Sequence, residues 1–198
     1  MPGIGRLRDC VRGMTALADA GADERRWLTE GAALLRGLVA EDDWLPEDCA
    51  IAGPTYRQYL LHCDPAERFC LVSFVWGPGQ RTPVHNHTVW GLVGMLRGEE
   101  ISTEMRPDPA GGPMRPGRVD RLRPGEVAAV GADTYDIHTV ENALAEGISI
   151  SIHAYGGNIG AIARSAFDPG TGAARRFVSG YSNAAVPNLW DRSQEMVA

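Results

Sequence analysis

No stretch of this sequence is apolar for long enough to cross a bilayer. The longest candidate, Ala32 to Ala40, is broken by Arg36 and falls far short of the ~20 residues a spanning helix needs. A basic excess is also missing: 19 basic against 25 acidic side chains leave a formal charge of −6. Counterion-release binding to nucleic acid or to an anionic membrane needs a basic face, so neither partner is expected. The four cysteines, Cys10, Cys49, Cys63 and Cys70, form no CxxC pair and no close cysteine–histidine zinc spacing. That removes a dithiol redox motif and a structural zinc site, and leaves buried free thiols as the default. His62-Cys63 is the one adjacent pair, and neighbours on a strand point to opposite faces. The opening residues, Met1 to Asp9, contain an acid and lack the apolar core and cleavage site of a secretory signal, so a cytoplasmic protein is expected. No internal repeat or low-complexity tract occurs.

What is there suits one globular core. At 198 residues, 44% of them hydrophobic, the chain is long enough for one sizeable core and short for two. A single domain over 1–198 is expected, with a helical cap at 1–50, a β-barrel core at 51–165 and a C-terminal segment, 166–198, packed on the barrel. Apolar residues recur at helical spacing from about Arg6 to Ala20 and from Asp23 to Glu41, which predicts two helices broken at Gly21-Ala22. Asp23 is a good N-cap, with Glu24 favourable in the first turn. After Pro54 come short runs bounded by Gly, Pro and Asp: Thr55–His62, Arg68–Trp76, Val89–Met95, Glu100–Met105, Arg118–Leu122, Val127–Val130 and Gly147–His153. They predict about seven to ten strands in an antiparallel sandwich or barrel. The Gly/Pro cluster at 107–117 reads as a mobile surface loop. The tail from Phe177 contains Tyr181 and Trp190 and is expected to fold back onto the barrel.

Histidine is scarce, five in all, yet two stand as His85-Asn86-His87. On a strand, residues i and i+2 share a face about 7 Å apart, so both imidazoles can converge on one ion. Alone, such a pair also fits two surface polar residues. The wider context is Gly79-x5-His85-x-His87-x3-Gly91-x6-Gly98, followed about forty residues later by His138-x3-Asn142. This spacing resembles the two-part signature of the cupin superfamily, in which the first motif provides HxH with an acid and the second a further histidine. Gly91 stands where a typical cupin has its Glu ligand, and the second motif carries Asp133 and two extra residues before its histidine. The resemblance therefore implies a mainly β fold, the cupin double-stranded β-helix or small β-barrel, and a metal held by His85, His87 and His138 without a carboxylate. Three imidazoles suit zinc, copper, nickel or iron. Zinc with three histidines normally adds water and hydrolyses, whereas Fe(II) with three open positions can accept a bidentate substrate and O2 together.

A second pattern is Ser151-Ile152-His153-Ala154-Tyr155. Alternation puts Ser151, His153 and Tyr155 on one face and Ile150, Ile152 and Ala154 on the other, polar inward and apolar outward. Hydroxyl, imidazole and phenol in register can form a hydrogen-bond relay that orients Tyr155. A solvent-facing polar stripe is the plainer alternative. With the acid-free histidine set and the ending Phe177-Val178-Ser179-Gly180-Tyr181-Ser182-Asn183, the chain from about residue 50 onward resembles the cysteine-dioxygenase-like thiol dioxygenases. That resemblance implies one Fe(II) per chain, O2 as co-substrate, and a small thiol converted to a sulfinic acid, with Ser151, His153 and Tyr155 as the catalytic relay.

Cysteine-selective members of that family carry an Arg two residues after an early tyrosine. Here Tyr56-Arg57-Gln58 places Gln58 there, with Arg57 on the opposite face. No cysteine lies near Gly91 in the sequence, so Tyr155 is expected to be unmodified. Both departures resemble the bacterial Gln-type subgroup associated with 3-mercaptopropionate, with L-cysteine as the alternative substrate. By the same resemblance Arg164 is a candidate for the substrate carboxylate, a surface arginine being the alternative, and Tyr56 and Gln58 are candidate pocket residues. Tyr56, Tyr181 and Trp90 also fit core packing. A zinc or nickel cupin hydrolase or isomerase, and a non-catalytic ligand-sensing cupin, are the other readings. A monomer or small homo-oligomer is expected.

Overall fold

Helical periodicity in the first fifty residues becomes helix, with one interruption. In the computed structural model, which describes residues 3–131 and 136–192, α1 (Gly5–Asp19) buries Leu7, Val11 and Met14 along one side. The second helical stretch is composite. α2 (Glu24–Arg26) opens it, a π-helical turn spans Trp27–Gly31, and α3 (Ala32–Val39) completes it. Asp23 caps the start by accepting from Arg26 N at 2.9 Å. The π turn seats Trp27 against Phe69 and Trp90, with ring centroids 5.8 and 4.5 Å away. No helix among the described residues is long and apolar enough to cross a membrane.

The strands are β1 (Arg57–Cys63), β2 (Cys70–Trp76), β3 (Val84–His85), β4 (Gly91–Arg97), β5 (Glu100–Arg106), β6 (Arg115–Leu122), β7 (Val127–Val130), β8 (His138–Asn142), β9 (Ser149–Tyr155), β10 (Arg164–Phe167) and β11 (Ala174–Phe177). They form two antiparallel sheets, ordered β1-β2-β9-β4-β7 and β11-β10-β3-β8-β5-β6. Sequence pattern anticipated β1, β2, β4, β5, β6, β7 and β9. The four it did not reach, β3, β8, β10 and β11, are too short for a period-2 signal to stand out. The predicted loop at 107–117 is partly strand: β6 begins at Arg115, and Pro116 lies opposite Met105. Proline is tolerated there because β6 is an edge strand.

β2 and β9 are buried along their whole length, on both faces. Leu71 and Val75 of β2 and Ile150, Ile152 and Ala154 of β9 pack under the helices with Leu7, Met14, Leu35 and Leu38. Their alternate residues, Cys70, Val72, Phe74 and Trp76 on β2 and Ser151, His153 and Tyr155 on β9, face the barrel interior. The apolar face of β9 points out of the barrel, as alternation predicts, and the helical cap covers it. Gly94 of β4 lets that cap approach, since a Cβ there would stand 3.0 Å from Leu35 Cγ and Val39 Cγ1.

The tail does return to the barrel, although not through Trp190, which stays 56% exposed. Ser182 N donates to Gln58 O at 2.7 Å, the Asn183 side chain spans Leu60 N and O, and Leu189 is buried beneath Arg8.

Asp64 secures the β1–β2 turn and ties it to the cap. Its carboxylate accepts from Ala66 N, Arg68 N and the Arg68 guanidinium, which also reaches Asp19 of α1 at 2.8 Å. The Arg68 side chain, chiefly, holds the Asp64 carboxyl at about 2, below its ordinary 3.8. A depressed acid stabilises the fold above its ordinary pKa and loses that contribution as pH falls through the folded value. Asp64→Asn should thus lower unfolding stability by about 1–3 kcal/mol at neutral pH. Urea denaturation should show the gap from wild type closing as pH drops from 3.8 toward 2.

Candidate metal centre

His85 ends β3 and is the register partner of His138 on β8. His87 is not on the strand, as simple alternation would have had it. After His85 the chain leaves the β3–β8 ladder. Asn86 bonds to Ser165 of β10 through its backbone N and its side chain, at 3.1 and 2.8 Å, and His87 turns inward beyond it. The three rings form an equilateral set with every centroid pair 4.9 Å apart, and their potential ligand nitrogens lie within 4.8 Å of one another. All three side chains are buried.

The turn that places His87 is strained and held by an anion. Thr88 has φ 63°, a left-handed conformation unfavourable for a β-branched residue. Asp136 Oδ1 accepts from His87 N at 2.7 Å and Oδ2 from Thr88 N at 3.2 Å. Burial would raise this carboxyl, yet the hydrogen bonds from His87 and Thr88 hold it below its ordinary value. Asp133, the acid noted in the second motif, lies outside the described residues. Asp136 was missed in the sequence, although it stands two positions before His138.

Every Nδ1 of the triad is engaged on its outer side. His85 Nδ1 meets Pro83 O at 3.1 Å, His87 Nδ1 meets Asp136 Oδ1 at 3.2 Å, and His138 Nδ1 meets Ser102 Oγ at 2.9 Å. A carbonyl and a carboxylate only accept, so His85 and His87 carry their protons on Nδ1 and turn the Nε2 lone pair to the centre; Ser102 can accept in the same way from His138. Burial above all, then repulsion among the imidazoles, lowers the pKa of His85 to about 3 and that of His138 far below its usual value. Three neutral imidazoles with fixed tautomers and outer partners suit a transition-metal ion, and their neutrality leaves the choice of metal open.

Gly91 shows why the carboxylate of the usual motif has no room. It lies between Val130 and Tyr155 in the sheet, and a Cβ there would stand 2.7 Å from Val130 Cγ2 and 3.1 Å from the Tyr155 ring. A side chain at this position would have to displace Val130 or the tyrosine ring.

Tyr155 ends the predicted relay, which is formed and buried. Ser151 Oγ and His153 Nε2 are 2.8 Å apart, as are His153 Nδ1 and Tyr155 OH. The phenol ring stacks on His87 with centroids 5.5 Å apart. Burial raises the Tyr155 pKa, with Arg164 opposing, so the hydroxyl keeps its proton at neutral pH. The sequence placed no cysteine near Gly91, but the other flank of Tyr155 carries Cys70 as its register partner on β2. Burial pushes that thiol up to about 12, so it is unreactive as a nucleophile.

Tyr56, Gln58, Phe74, Trp76, Arg164 and Ser179 are among the residues that line the cavity together with the triad, His153 and Tyr155. Tyr56 stacks on Trp76 at 4.8 Å and belongs to the pocket. Trp90 instead packs against Trp27, and Tyr181 bonds Asn158 and Gly160 outside the pocket. Arg57 turns away from Gln58 and lies against Gly53. Gln58 Nε2 donates to Gly180 O at 2.8 Å. Asn142, part of the second motif, is structural: its amide holds Trp76 O and Gly147 O, both at 3.1 Å. Among the described residues Arg164 is the one buried cation lining the cavity. Its Nη2 donates to Ser179 Oγ at 2.8 Å and its guanidinium lies 4.8 Å above the Phe177 ring, while Nε is buried without a partner.

No family model matches the chain. Solved structures of similar shape include a cupin superfamily protein of Desulfitobacterium hafniense, 16% identical, with a TM-score of 0.40 over 53% of this chain and 80% of that one. Another is a conserved protein with a double-stranded β-helix domain from Klebsiella pneumoniae subsp. pneumoniae, 14% identical, with a TM-score of 0.44 over 66% and 91%. This chain is itself mainly β, two antiparallel sheets under an N-terminal helical cap. An oxalate oxidase in complex with the substrate analogue glycolate shares the shape at 16% identity and a TM-score of 0.42, over 61% of this chain and 56% of that one. At such identities the likeness concerns the fold, and what this barrel does has to be read from its own cavity.

Proposed function

We propose that this protein is a mononuclear non-haem Fe(II) thiol dioxygenase that converts a small carboxylate-bearing thiol, 3-mercaptopropionate, to its sulfinic acid. The observation that carries this reading is the pairing of a buried Arg164, whose Nε has no hydrogen-bond partner, with three imidazoles and a tyrosine hydroxyl in one cavity. A buried guanidinium with no carboxylate beside it is costly unless an anion arrives, and a substrate carboxylate is the anion its fork fits. Ser179 and Phe177 hold that fork in one orientation. Gln58, by gripping Gly180 O, steadies the segment that carries Ser179.

The cavity wall contains no Asp or Glu among the described residues, so an α-ammonium group would find no anionic partner there. That favours a thiol with a carboxylate and no amine over L-cysteine, and disfavours an amine-only thiol. Iron(II), held by His85, His87 and His138, would supply the redox chemistry that lets O2 react with the thiol. The net step, RSH + O2 → RSO2H, forms two S–O bonds, breaks the O–O bond and moves four electrons from sulfur to oxygen. Tyr155, oriented by His153 and Ser151, offers its O–H toward the reacting groups beside His87, and the aromatic wall of Tyr56, Phe74 and Trp76 excludes water.

Oxygen uptake by the Fe(II)-loaded enzyme with 3-mercaptopropionate, L-cysteine and cysteamine tests the proposal. One O2 consumed per sulfinate formed, fastest with 3-mercaptopropionate, is the expected result. No thiol-dependent uptake ends the dioxygenase reading, and a preference for cysteine overturns the substrate. Arg164→Met should raise KM for the carboxylate thiol by about 10–100-fold, the loss of a charge-assisted hydrogen-bond pair. It should leave the weak turnover of cysteamine unchanged.

A further inference from the structure

Behind the relay lies a carboxyl group that the proposed reaction does not use. Glu100 opens β5 and is buried to 2% exposure. Ser149 Oγ donates to its Oε1 at 3.2 Å, whereas Oε2 is buried with no hydrogen-bond partner. Ser151, the far end of the relay, lies on the same face of β9 as Ser149, and its hydroxyl acts on the same carboxyl to favour the charged form. The next inward residue of β5 is Ser102, the outer partner of His138. One strand thus supplies both the group behind the relay and the group behind a triad histidine.

We infer that Glu100 is a positioning residue that sets the direction of the Ser151–His153–Tyr155 hydrogen bonds, and so decides whether Tyr155 offers the metal cavity a proton or a lone pair. Each hydroxyl and the neutral imidazole can be donor on one side and acceptor on the other, so the chain has two consistent polarities. With Glu100 protonated, its O–H donates to Ser151, Ser151 to His153 Nε2, and His153 Nδ1–H to Tyr155 Oη. The phenol proton is then free to point into the cavity. With Glu100 ionised, Ser151 donates to the carboxylate, His153 Nε2–H to Ser151, and Tyr155 O–H to His153 Nδ1. The phenol then presents only lone pairs. Going from the first state to the second removes one proton, from Glu100, and shifts one across His153 between its two nitrogens. Trp76 Nε1, 3.4 Å from Ser151 Oγ, is a donor in either state.

The titratable groups facing Glu100 are few. His153 lies beyond Ser151 on β9, His138 lies across a small cavity on β8, and Asp120 of β6 lines that cavity with its carboxylate paired to Arg118. Burial is the main influence on Glu100 and raises its pKa to about 8, with Ser151 and Ser149 opposing. At neutral pH the acid form prevails, which is the state in which Tyr155 donates. The inference concerns the relay alone and stands whether or not the thiol reaction is correct.

The tautomer of His153 reports the switch directly. The full-length chain, labelled with 15N-histidine and freed of metal by chelation, would be titrated by NMR from about pH 6 to about pH 10. His153 is assigned by the loss of its signals in His153→Gln. The expected result is a change from Nδ1–H to Nε2–H with its midpoint near 8. In Glu100→Gln the amide donates to Ser151 at every pH, and His153 should hold the Nδ1–H form throughout. Ser149→Ala, which removes a donor to the carboxylate, should move the midpoint upward and serves if the glutamine variant does not fold. A single His153 tautomer across the wild-type titration, an unchanged midpoint in Glu100→Gln, or an unmoved midpoint in Ser149→Ala would each overturn the inference.

Discussion

His138→Ala should yield a folded protein that retains no stoichiometric metal and shows no thiol-dependent oxygen uptake. Among the described residues no fourth ligand group joins the triad, and Gly91, packed against Val130 and the Tyr155 ring, offers no side chain. Two imidazoles would remain, and the affinity lost should exceed the about 10–100-fold that removal of an outer partner costs. Asp136→Asn supplies the comparison. It keeps an oxygen that can accept from His87 N but loses the charge beside His87 Nδ1, and also weakens the hold on the strained Thr88 turn. Its metal affinity should fall within that outer-partner range while some activity survives. Competition titration against a chelator, with metal content measured after purification, gives the order. Wild-type metal binding by His138→Ala would remove the proposed centre altogether.

Tyr155→Phe is the second large effect expected, and it should fall on turnover. The phenol oxygen bonds His153 Nδ1 and no atom of the triad, and the ring that stacks on His87 and abuts Gly91 is retained. Metal content and KM should therefore change little. kcat should fall by about 10²–10³, the usual cost of removing one hydrogen-bond donor aimed at developing charge. Ser151→Ala should act in the same direction but more weakly, because it reaches the cavity only through His153. Steady-state oxygen uptake with metal-normalised enzyme measures both. A variant with wild-type kcat would favour a barrel that binds a small ligand without catalysis.

The parts of the site that were legible in advance are those that one strand carries alone. Ser151, His153 and Tyr155 share a face because strand alternation is a local property, and the hydrogen bonds at 2.8 Å follow from it. Tyr56 and Gln58 likewise face the cavity while Arg57 does not. Where the chain departs from a regular strand, alternation stops being informative. His87 reaches the triad by a left-handed turn at Thr88 rather than by strand pleat, and the anion that holds the turn, Asp136, was not singled out. Ser102, Ser179 and Glu100 carry no local signal either, being single polar residues on strands or connections far away in the chain.

Residue types and spacing by themselves determined that three histidines and a Ser-His-Tyr stripe could serve one centre, and that a mainly β barrel with helices at its N-terminus would carry them. Only the tertiary structure decided which partners surround them. Cross-strand register brings β5 behind both His138 and Ser151, sets Tyr155 beside Gly91, and leaves Arg164 buried with no carboxylate partner among the described residues. The reason is physical: a side chain's face on its strand depends on its immediate neighbours, whereas the strand it will lie against depends on how the whole chain buries its apolar surface.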